Sequence, residues 1–394
     1  MKHFDMPIEL SITEMSWPTK IVLGPGALRR APAQVERLKM KRPLVVTDAG
    51  VVKAGLTAKL FEVLKEAGVA FEVFDQVQPN PTEKDAFEGL ARFRETKCDG
   101  FIALGGGSPL DAAKLVQLLV THEPPLSRYD DAKGGDMLVR DDMPPLIAIP
   151  TTAGTGSEVS RSGVATLADT GRKTVIFSPF LLPKAAICDP ELTLGLPPGT
   201  TAATGMDAFT HCLEAYVASG FHPLADAVAI DGIARVARSL PTAVKEGGDL
   251  HARTDMMVAA MQGAMAFQKG LGAAHALAHA LTPISGVHHG LANAIVLPAV
   301  MEFNRASSTA RLARVAVAMG DNSLSRQEVL AGIAIDRVRK LNETIGIPAR
   351  LREAGVKEAD LPRITEKAFE DASHLTNPRK CEQEDLLAIA RAAF

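Results

Sequence analysis

The strongest constraint on the fold is the alternation of short β-rich runs with helical runs in the first half of the chain. Apolar runs that are typical of strands buried on both faces occur at Pro43 to Thr47 (PLVVT), Gly100 to Leu104 (GFIAL) and Pro145 to Pro150 (PLIAIP). Residues 53–67 and 82–96 between them have the apolar spacing of helices. This alternation predicts an α/β domain with a parallel sheet covered by helices on both faces.

The second half of the chain has a different pattern. Proline density rises around Cys188 to Pro198, the strand runs stop there, and only helical patterns follow. A chain of 394 residues also exceeds the size of one comfortable hydrophobic core. We therefore predict two domains, an α/β domain over residues 1–192 and an all-helical domain over residues 193–394.

Two loops rich in glycine and hydroxyl groups follow predicted strands. Gly105-Gly106-Gly107-Ser108 separates the GFIAL strand from a helix that is expected to open at Pro109, and TTAGTGSEVS begins at Thr151. Free backbone N–H groups at a helix start bind pyrophosphate well, and ligands of open α/β sheets bind at the carboxyl ends of strands. A single loop lacking the GxGxxG spacing is equally compatible with a tight turn, but two such loops favour a dinucleotide.

Asp48 lies at the end of the PLVVT strand. A carboxylate there suits a ribose hydroxyl and would repel a 2′-phosphate, which favours NAD over NADP. The alternative is that Asp48 caps a turn or helix.

The stretch Gly270 to Gly290 (GLGAAHALAHALTPISGVHHG) contains four of the ten histidines. His275 and His279 are four residues apart in an apolar helical segment, so they project from one face of a buried helix. Buried imidazoles need partners, either a metal ion or a hydrogen-bonded core.

A second polar pair strengthens the metal hypothesis. Asp207 and His211 have the same spacing in the apolar segment GMDAFTHCLEAYVA, where an unpaired carboxylate is still harder to bury. Pro283, Gly286 and Gly290 are expected to break the later helix, so that a turn returns His288 or His289 to the cluster. One aspartate with three histidines suits Fe(II) or Zn(II).

Bulk composition excludes several other classes. With 43 basic and 46 acidic side chains, net charge −3, nothing indicates a nucleic-acid partner or a membrane partner. The four cysteines form no CxxC pair, so reduced thiols in the cytoplasm are expected. The first residues, MKHFDMPIELSITEMSW, have no apolar core of signal-peptide length.

Taken together, the motifs make the chain similar to the iron-containing (group III) alcohol dehydrogenases. The resemblance spans nearly the whole length, through GGGSPLDAAK, PTTAGTGSEVS, GMDAFTHCLEAY and HALAHAL...HHGLANAIVLP, in family order. It implies the dehydroquinate synthase-like architecture, in which a dinucleotide-binding α/β domain precedes a helical domain. It also implies NAD and Fe²⁺, with Zn²⁺ as an alternative metal, and a homodimer or larger homo-oligomer.

The resemblance also implies roles for individual residues. The metal ligands would be Asp207, His211, His275 and His289, the last preferred to His288 because the family's ligand directly precedes a glycine, here Gly290. The implied cofactor-binding positions are Asp48, Asn80, Gly106, Gly107, Ser108, Thr151, Thr152, Thr155 and Lys173. His279 matches an additional histidine near the nicotinamide, which makes it the candidate proton relay. Packing against the nicotinamide is its alternative role.

The implied reaction is reversible hydride transfer between NAD and a small primary alcohol or its aldehyde, with the metal acting as a Lewis acid. A non-redox lyase of the dehydroquinate-synthase-like type, which also uses NAD and a metal, is the alternative. Two basic residues near the motifs, Arg161 and Lys269, are hypothetical anchors for the far anionic end of the substrate. That substrate would be an ω-oxo acid such as succinic semialdehyde, or a phosphonate or sulfonate aldehyde.

Overall fold

The computed structural model describes residues 19–169 and 171–394. The segment that carries the signal-peptide prediction lies outside the described residues. Two compact units divide the chain, with the boundary between Leu196 and Pro197.

The first unit is built on a six-stranded parallel sheet with the strand order β1-β8-β5-β4-β2-β3. The sheet strands are β1 (Lys20–Leu23), β2 (Pro43–Val46), β3 (Glu72–Phe74), β4 (Gly100–Gly105), β5 (Leu146–Pro150) and β8 (Ala185–Cys188). The central strands β2, β4 and β5 are buried at every residue, as expected of parallel strands covered on both faces. The predicted fold class is confirmed.

Helices cover both faces of this sheet, and the alternation of side chains along each strand explains why. In β4, Phe101 and Ala103 pack with the apolar faces of α4 and α5, whereas Ile102 and Leu104 pack with those of α1 and α3. The helices of this unit are α1 (Ala31–Arg37), α2 (Ala49–Lys53), α3 (Leu56–Glu66), α4 (Glu83–Glu95) and α5 (Gly107–Thr121). The helix predicted over 53–67 is α3, which begins only at Leu56 because Gly55 takes a left-handed φ of 73°. The short helix α2 before it was not predicted.

The runs Ile21 to Leu23 and Ala70 to Phe74 predict β1 and β3, but three other strands were not predicted. An antiparallel hairpin joins β6 (Ser162–Thr166) to β7 (Lys173–Phe177). Both hairpin strands alternate between half-buried and buried residues, so neither forms the continuous apolar run that indicates a buried strand. The third, β8, is only four residues long and half alanine.

Between Pro197 and Phe394, the second unit has only helices as regular structure. Its α-helices are α6 (Pro198–Val217), α7 (Pro223–Lys245), α8 (Leu250–Ala266), α9 (Ala273–Ser285), α10 (His289–Asn304), α11 (Thr309–Ala318), α12 (Gln327–Thr344), α13 (Leu361–Phe369) and α14 (Gln383–Ala392). Helix α6 is buried on all sides from Thr201 to Val217. Such a helix belongs to the core of its unit.

Across the described residues, no helix is both long enough and apolar enough to cross a membrane. All four cysteines are free thiols and all four are buried.

Candidate functional site

Helix α6 presents three acidic or histidine side chains from one face. Asp207, His211 and Glu214 occupy positions i, i+4 and i+7 of this helix, and each is at least nine-tenths buried. Pro198 at the first helical position starts the helix. The predicted pairing of Asp207 with His211 on one face is therefore present, and Glu214 extends it.

The turn before His289 differs from its prediction. Helix α9 continues through Pro283 to Ser285 and ends at Gly286, whose φ of 71° is left-handed. His289 is then the first residue of α10. Gly290 does not break a helix but permits close packing, because a Cβ there would lie 2.2 Å from the carbonyl oxygen of Ala203 in α6.

Three of the four predicted ligands converge. One ligand atom from each of Asp207, His275 and His289 lies within 4.8 Å of the other two. His289 Nε2 is 3.4 Å, and His275 Nε2 is 4.0 Å, from the same Asp207 oxygen, Oδ1. His211 adjoins this group: its ring stacks on His275 with centroids 4.4 Å apart, and its Nδ1 lies 4.0 Å from Asp207 Oδ2.

The donors of this group suit a divalent metal ion. His275 Nδ1 is 2.7 Å from Glu214 Oε2, and a carboxylate only accepts hydrogen bonds, so the proton is on Nδ1. Nε2 therefore carries a lone pair, and this atom is buried without a hydrogen-bond partner among the described residues. An unsatisfied buried polar atom costs about 1–3 kcal/mol, and a metal ion held by imidazole and carboxylate would relieve that cost.

His279 adjoins the ligand group and contacts a carboxylate. Its Nδ1 lies 2.9 Å from Asp371 Oδ2, and its ring stacks on His289 with centroids 5.1 Å apart. Burial alone would raise the pKa of Asp371, but His279 and hydrogen bonds from Ser373 hold that pKa well below its usual range. The neighbouring His288 is exposed, which is consistent with the preference for His289.

In the first unit, the two predicted cofactor loops lie against each other. They follow the paired strands β4 and β5, and Thr151 N donates to Gly105 O at 2.8 Å. A Cβ on Gly107 would lie 2.8 Å from Thr155 Cγ2, and one on Gly106 would lie 3.4 Å from the Thr152 side chain. A side chain at position 107 would therefore require Thr155 to shift, whereas the distance at Gly106 is an ordinary van der Waals contact. Helix α5 begins at Gly107, two residues before the predicted start.

Asn80 and Ser108 also come together, although 28 residues separate them. Asn80, with a left-handed φ of 56°, donates its backbone N–H to Ser108 Oγ at 3.2 Å. Asp48 Oδ1 accepts a hydrogen bond from Val51 N at 2.9 Å, so this oxygen caps α2. The capping role that the sequence left open is therefore filled by one of the two carboxylate oxygens. Lys173 begins β7 and is half-buried.

Three further functional candidates escaped the sequence analysis. Lys114 is fully buried, and its ammonium, which has three donors, lies 2.7–3.0 Å from four oxygens: Ser157 O, Ser157 Oγ, Ser160 O and Ser162 O. Burial lowers the pKa of Lys114 to about 8. Asn293 donates to Asp207 Oδ1 at 3.0 Å and lies 3.2 Å from His289 Nε2; it and Glu214 follow ligand candidates at helical spacing, which is the signal that could have indicated them.

The hypothesis that Lys269 binds an anionic group of the substrate is wrong. Its side chain is wholly buried, with Nζ 2.5 Å from Asp226 Oδ1 and 3.0 Å from Tyr216 O. Arg311 reaches the other oxygen of Asp226 at 3.0 Å, so the lysine belongs to a protein ion-pair network. Arg161 is only half-buried, and its guanidinium lies 5.0 Å from the centre of the Phe177 ring.

Comparison with known proteins identifies this combination of fold and site. Residues 18–190 match the family described as iron-containing alcohol dehydrogenase, and residues 201–394 match the carboxyl-terminal part of the Fe-containing alcohol dehydrogenase family. The chain belongs to the iron-containing alcohol dehydrogenase family.

Individual relatives span almost the full chain. A 4-hydroxybutyrate dehydrogenase from Cupriavidus necator is 44% identical, with 93% of this chain and 96% of the relative covered. An NAD-dependent methanol dehydrogenase from Bacillus methanolicus is 35% identical, with 97% and 100% covered. The crystal structure of a 1,3-propanediol oxidoreductase superposes with a TM-score of 0.94 at 39% identity, covering 98% of this chain and 100% of that one.

Proposed function

We propose that this dehydrogenase interconverts a small primary alcohol and its aldehyde, with NAD as hydride carrier and Fe(II) as metal, Zn(II) being the alternative. The observation that carries the proposal is the convergence of Asp207, His275 and His289 around a buried, unsatisfied imidazole nitrogen. The NAD-dependent methanol dehydrogenase among the relatives supports the choice of cofactor.

The metal would be held by Asp207, His275 and His289, with His211 as the fourth ligand. Bound NAD(H) carries the hydride, while a bound divalent ion polarises the substrate oxygen and stabilises negative charge on it. The protein contributes a rigid, apolar surrounding: α6 is buried on all sides, and α9 is buried from Ala273 to Ala278. A site with little water strengthens electrostatic stabilisation of the reacting oxygen.

In the first unit, the loops at Gly106–Ser108 and Thr151–Thr155 would hold the cofactor's pyrophosphate. Backbone N–H groups at the start of α5 face the loop end, where the helix dipole favours negative charge. Asn80 and Lys173 would add polar contacts, and the free oxygen of Asp48 would accept a ribose hydroxyl. This carboxylate disfavours a 2′-phosphate, so NAD is the expected cofactor. The first unit is thus the NAD-binding domain, and the second is the catalytic domain.

His279 would move the proton between the substrate oxygen and solvent. Asp371 engages Nδ1 at 2.9 Å, so Nε2 is the nitrogen that exchanges a proton with the substrate. Histidine suits this role because imidazole titrates near neutral pH. Asp371 orients the ring through this contact.

For the substrate, we favour an aldehyde that carries a distant carboxylate, such as succinic semialdehyde. The 4-hydroxybutyrate dehydrogenase among the relatives supports this class. Of the two basic residues that the sequence indicates, Arg161 is the remaining candidate anchor, because its planar guanidinium suits a carboxylate. Homo-oligomeric assembly and a cytoplasmic location stay predictions from the sequence.

The test is NADH oxidation with metal-stripped protein that is reloaded anaerobically with Fe(II) or Zn(II). Activity with aldehydes should return on reloading, and Asp207→Asn should abolish the return. Arg161→Met should raise KM for succinic semialdehyde at least about tenfold and leave KM for butanal, the matched neutral aldehyde, unchanged. Tight NAD binding without turnover of any aldehyde would instead favour the non-redox lyase chemistry.

A further inference from the structure

We propose that Glu214 is a positioning residue of the metal centre: its carboxylate caps α9 and at the same time fixes the tautomer and orientation of His275. The inference rests on the proposed metal site. Glu214, on α6, would thereby position a metal ligand on α9, 61 residues further along the chain.

The contact with His275 fixes which nitrogen can bind a metal. Glu214 Oε2 accepts the Nδ1 proton at 2.7 Å, and both side chains are almost fully buried, at 2% and 1% exposure. With the proton held on Nδ1, the lone pair is on Nε2, which lies 4.0 Å from Asp207 Oδ1. A carboxylate behind a ligating histidine fixes the orientation of the ring and typically contributes to metal affinity.

The same carboxylate fixes where α9 begins. Gly272 N donates to Oε2 at 3.0 Å and Ala274 N donates to Oε1 at 2.7 Å, while His275 N reaches Oε2 at 3.3 Å. The residue before α9, Gly272, has no side chain of its own with which to cap these N–H groups. Glu214 therefore serves as a cap supplied by a neighbouring helix, and its negative charge is favoured at that helix end.

The absence of a side chain at Gly272 leaves room for the Glu214 carboxylate. A Cβ on Gly272 would lie 2.6 Å from Glu214 Oε1 and 2.8 Å from Asn377 Oδ1, so any other residue would push the carboxylate away. Asn377 Oδ1 accepts from Ala273 N at 3.3 Å. The first turn of α9 is thus held from two sides, and its one carboxylate partner is also the partner of the His275 ring.

A purely structural cap and a positioning residue predict different results for one substitution. Glu214→Gln keeps the size of the side chain but removes the charge and brings an NH2 group towards backbone donors. The loss of such a carboxylate partner typically weakens metal binding about 10- to 100-fold. The matched control is Asp189→Asn, because Asp189 is equally buried and accepts from Gly26, Leu28 and Glu191 N at 2.9–3.2 Å in the first unit.

The experiment measures the Zn(II) dissociation constant of the full chain by competition with a chelator, alongside the thermal unfolding of each variant. We expect Glu214→Gln to weaken Zn(II) binding about 10- to 100-fold, and Asp189→Asn to leave it unchanged even if its Tm falls. Wild-type affinity in a destabilised Glu214→Gln protein would show that Glu214 is only a cap. Absence of Zn(II) and Fe(II) binding by the wild type would instead overturn the proposed metal site itself.

A second measurement needs no variant. Imidazole 15N chemical shifts of the metal-free wild-type protein report which nitrogen of His275 carries the proton. We expect the proton on Nδ1, and the assignment of this resonance follows from its loss in His275→Gln. A proton on Nε2 would overturn the inference, whatever the folding behaviour of Glu214→Gln.

Discussion

Gly290 offers a direct test of whether close packing of α10 on α6 shapes the metal site. It follows His289 and is the second residue of α10. In Gly290→Ala, the new Cβ would lie 2.2 Å from Ala203 O and 3.1 Å from Asp207 Cβ. Non-bonded heavy atoms make their best contact at roughly 3.5 Å, so the first turn of α10 must move away from α6 by roughly 1 Å.

The structure sets the expected magnitude. Overpacking of this kind costs about 1–3 kcal/mol, and the shift falls on His289, whose Nε2 now lies 3.4 Å from Asp207 Oδ1. Metal–ligand distances tolerate deviations of only about 0.2 Å. If the strain is relieved when His289 moves out of its ligand position, metal binding must restore that strain. Zn(II) affinity should then fall about 5- to 150-fold, the equivalent of 1–3 kcal/mol.

Gly199 provides the matched control. It is the second residue of α6, as Gly290 is of α10, and a Cβ there would meet no atom within 4 Å. Gly199→Ala should therefore keep the Zn(II) affinity and raise the free energy of unfolding by about 0.4–1 kcal/mol. Chelator competition and thermal unfolding measure both variants. Equal affinity and equal Tm for Gly290→Ala and the wild type would refute the argument that this glycine is required for packing.

Three further outcomes follow from the described contacts. Gly107→Ala places a Cβ 2.8 Å from Thr155 Cγ2 and should raise the dissociation constant for NADH, measured by fluorescence titration, at least about tenfold; unchanged NADH affinity would contradict the packing of the two loops. Lys114→Met leaves four oxygens without the ammonium as donor and should lower the free energy of unfolding by about 3–5 kcal/mol. In the control Lys184→Met, the replaced lysine is exposed, and the free energy of unfolding should change by less than about 1 kcal/mol. Burial raises the pKa of all four cysteine thiols, that of Cys381 to about 12. A thiol reagent at pH 8 should therefore modify no cysteine in the folded protein and all four in denaturant. Rapid modification of the folded protein would show that a thiol is accessible.

Local periodicity was sufficient to predict the sheet and most helices. Strands such as β4 are continuous apolar runs because both faces are covered, and this pattern is visible in the sequence. The start of α10 at His289 was harder to predict from the sequence. Helix α9 tolerates Pro283 in its interior and ends only at Gly286. A breaker residue indicates a boundary without fixing its position.

The sequence indicated the candidate ligands Asp207, His275 and His289, which the structure brings together, but it did not indicate the residues that contact them. Spacing of four residues places Asp207 and His211 on one face of a helix, whatever the tertiary structure. The contacts of Glu214 with His275 and of Asp371 with His279 join residues 61 and 92 positions apart. Such pairs depend on how helices pack against one another, and no local pattern in a single sequence records that packing.

All four predicted metal ligands belong to the unit that begins at Pro197, whereas the paired glycine loops belong to the unit that ends at Leu196. On the proposed assignment, the bound metal and the bound NAD would each add binding free energy to the folding of a different half of the chain. At a hundredfold excess over its dissociation constant, a bound molecule contributes about 2.7 kcal/mol in this way. We therefore expect removal of the metal to weaken the helical half selectively, so that proteolysis and aggregation of the metal-free protein begin there even in the presence of excess NAD.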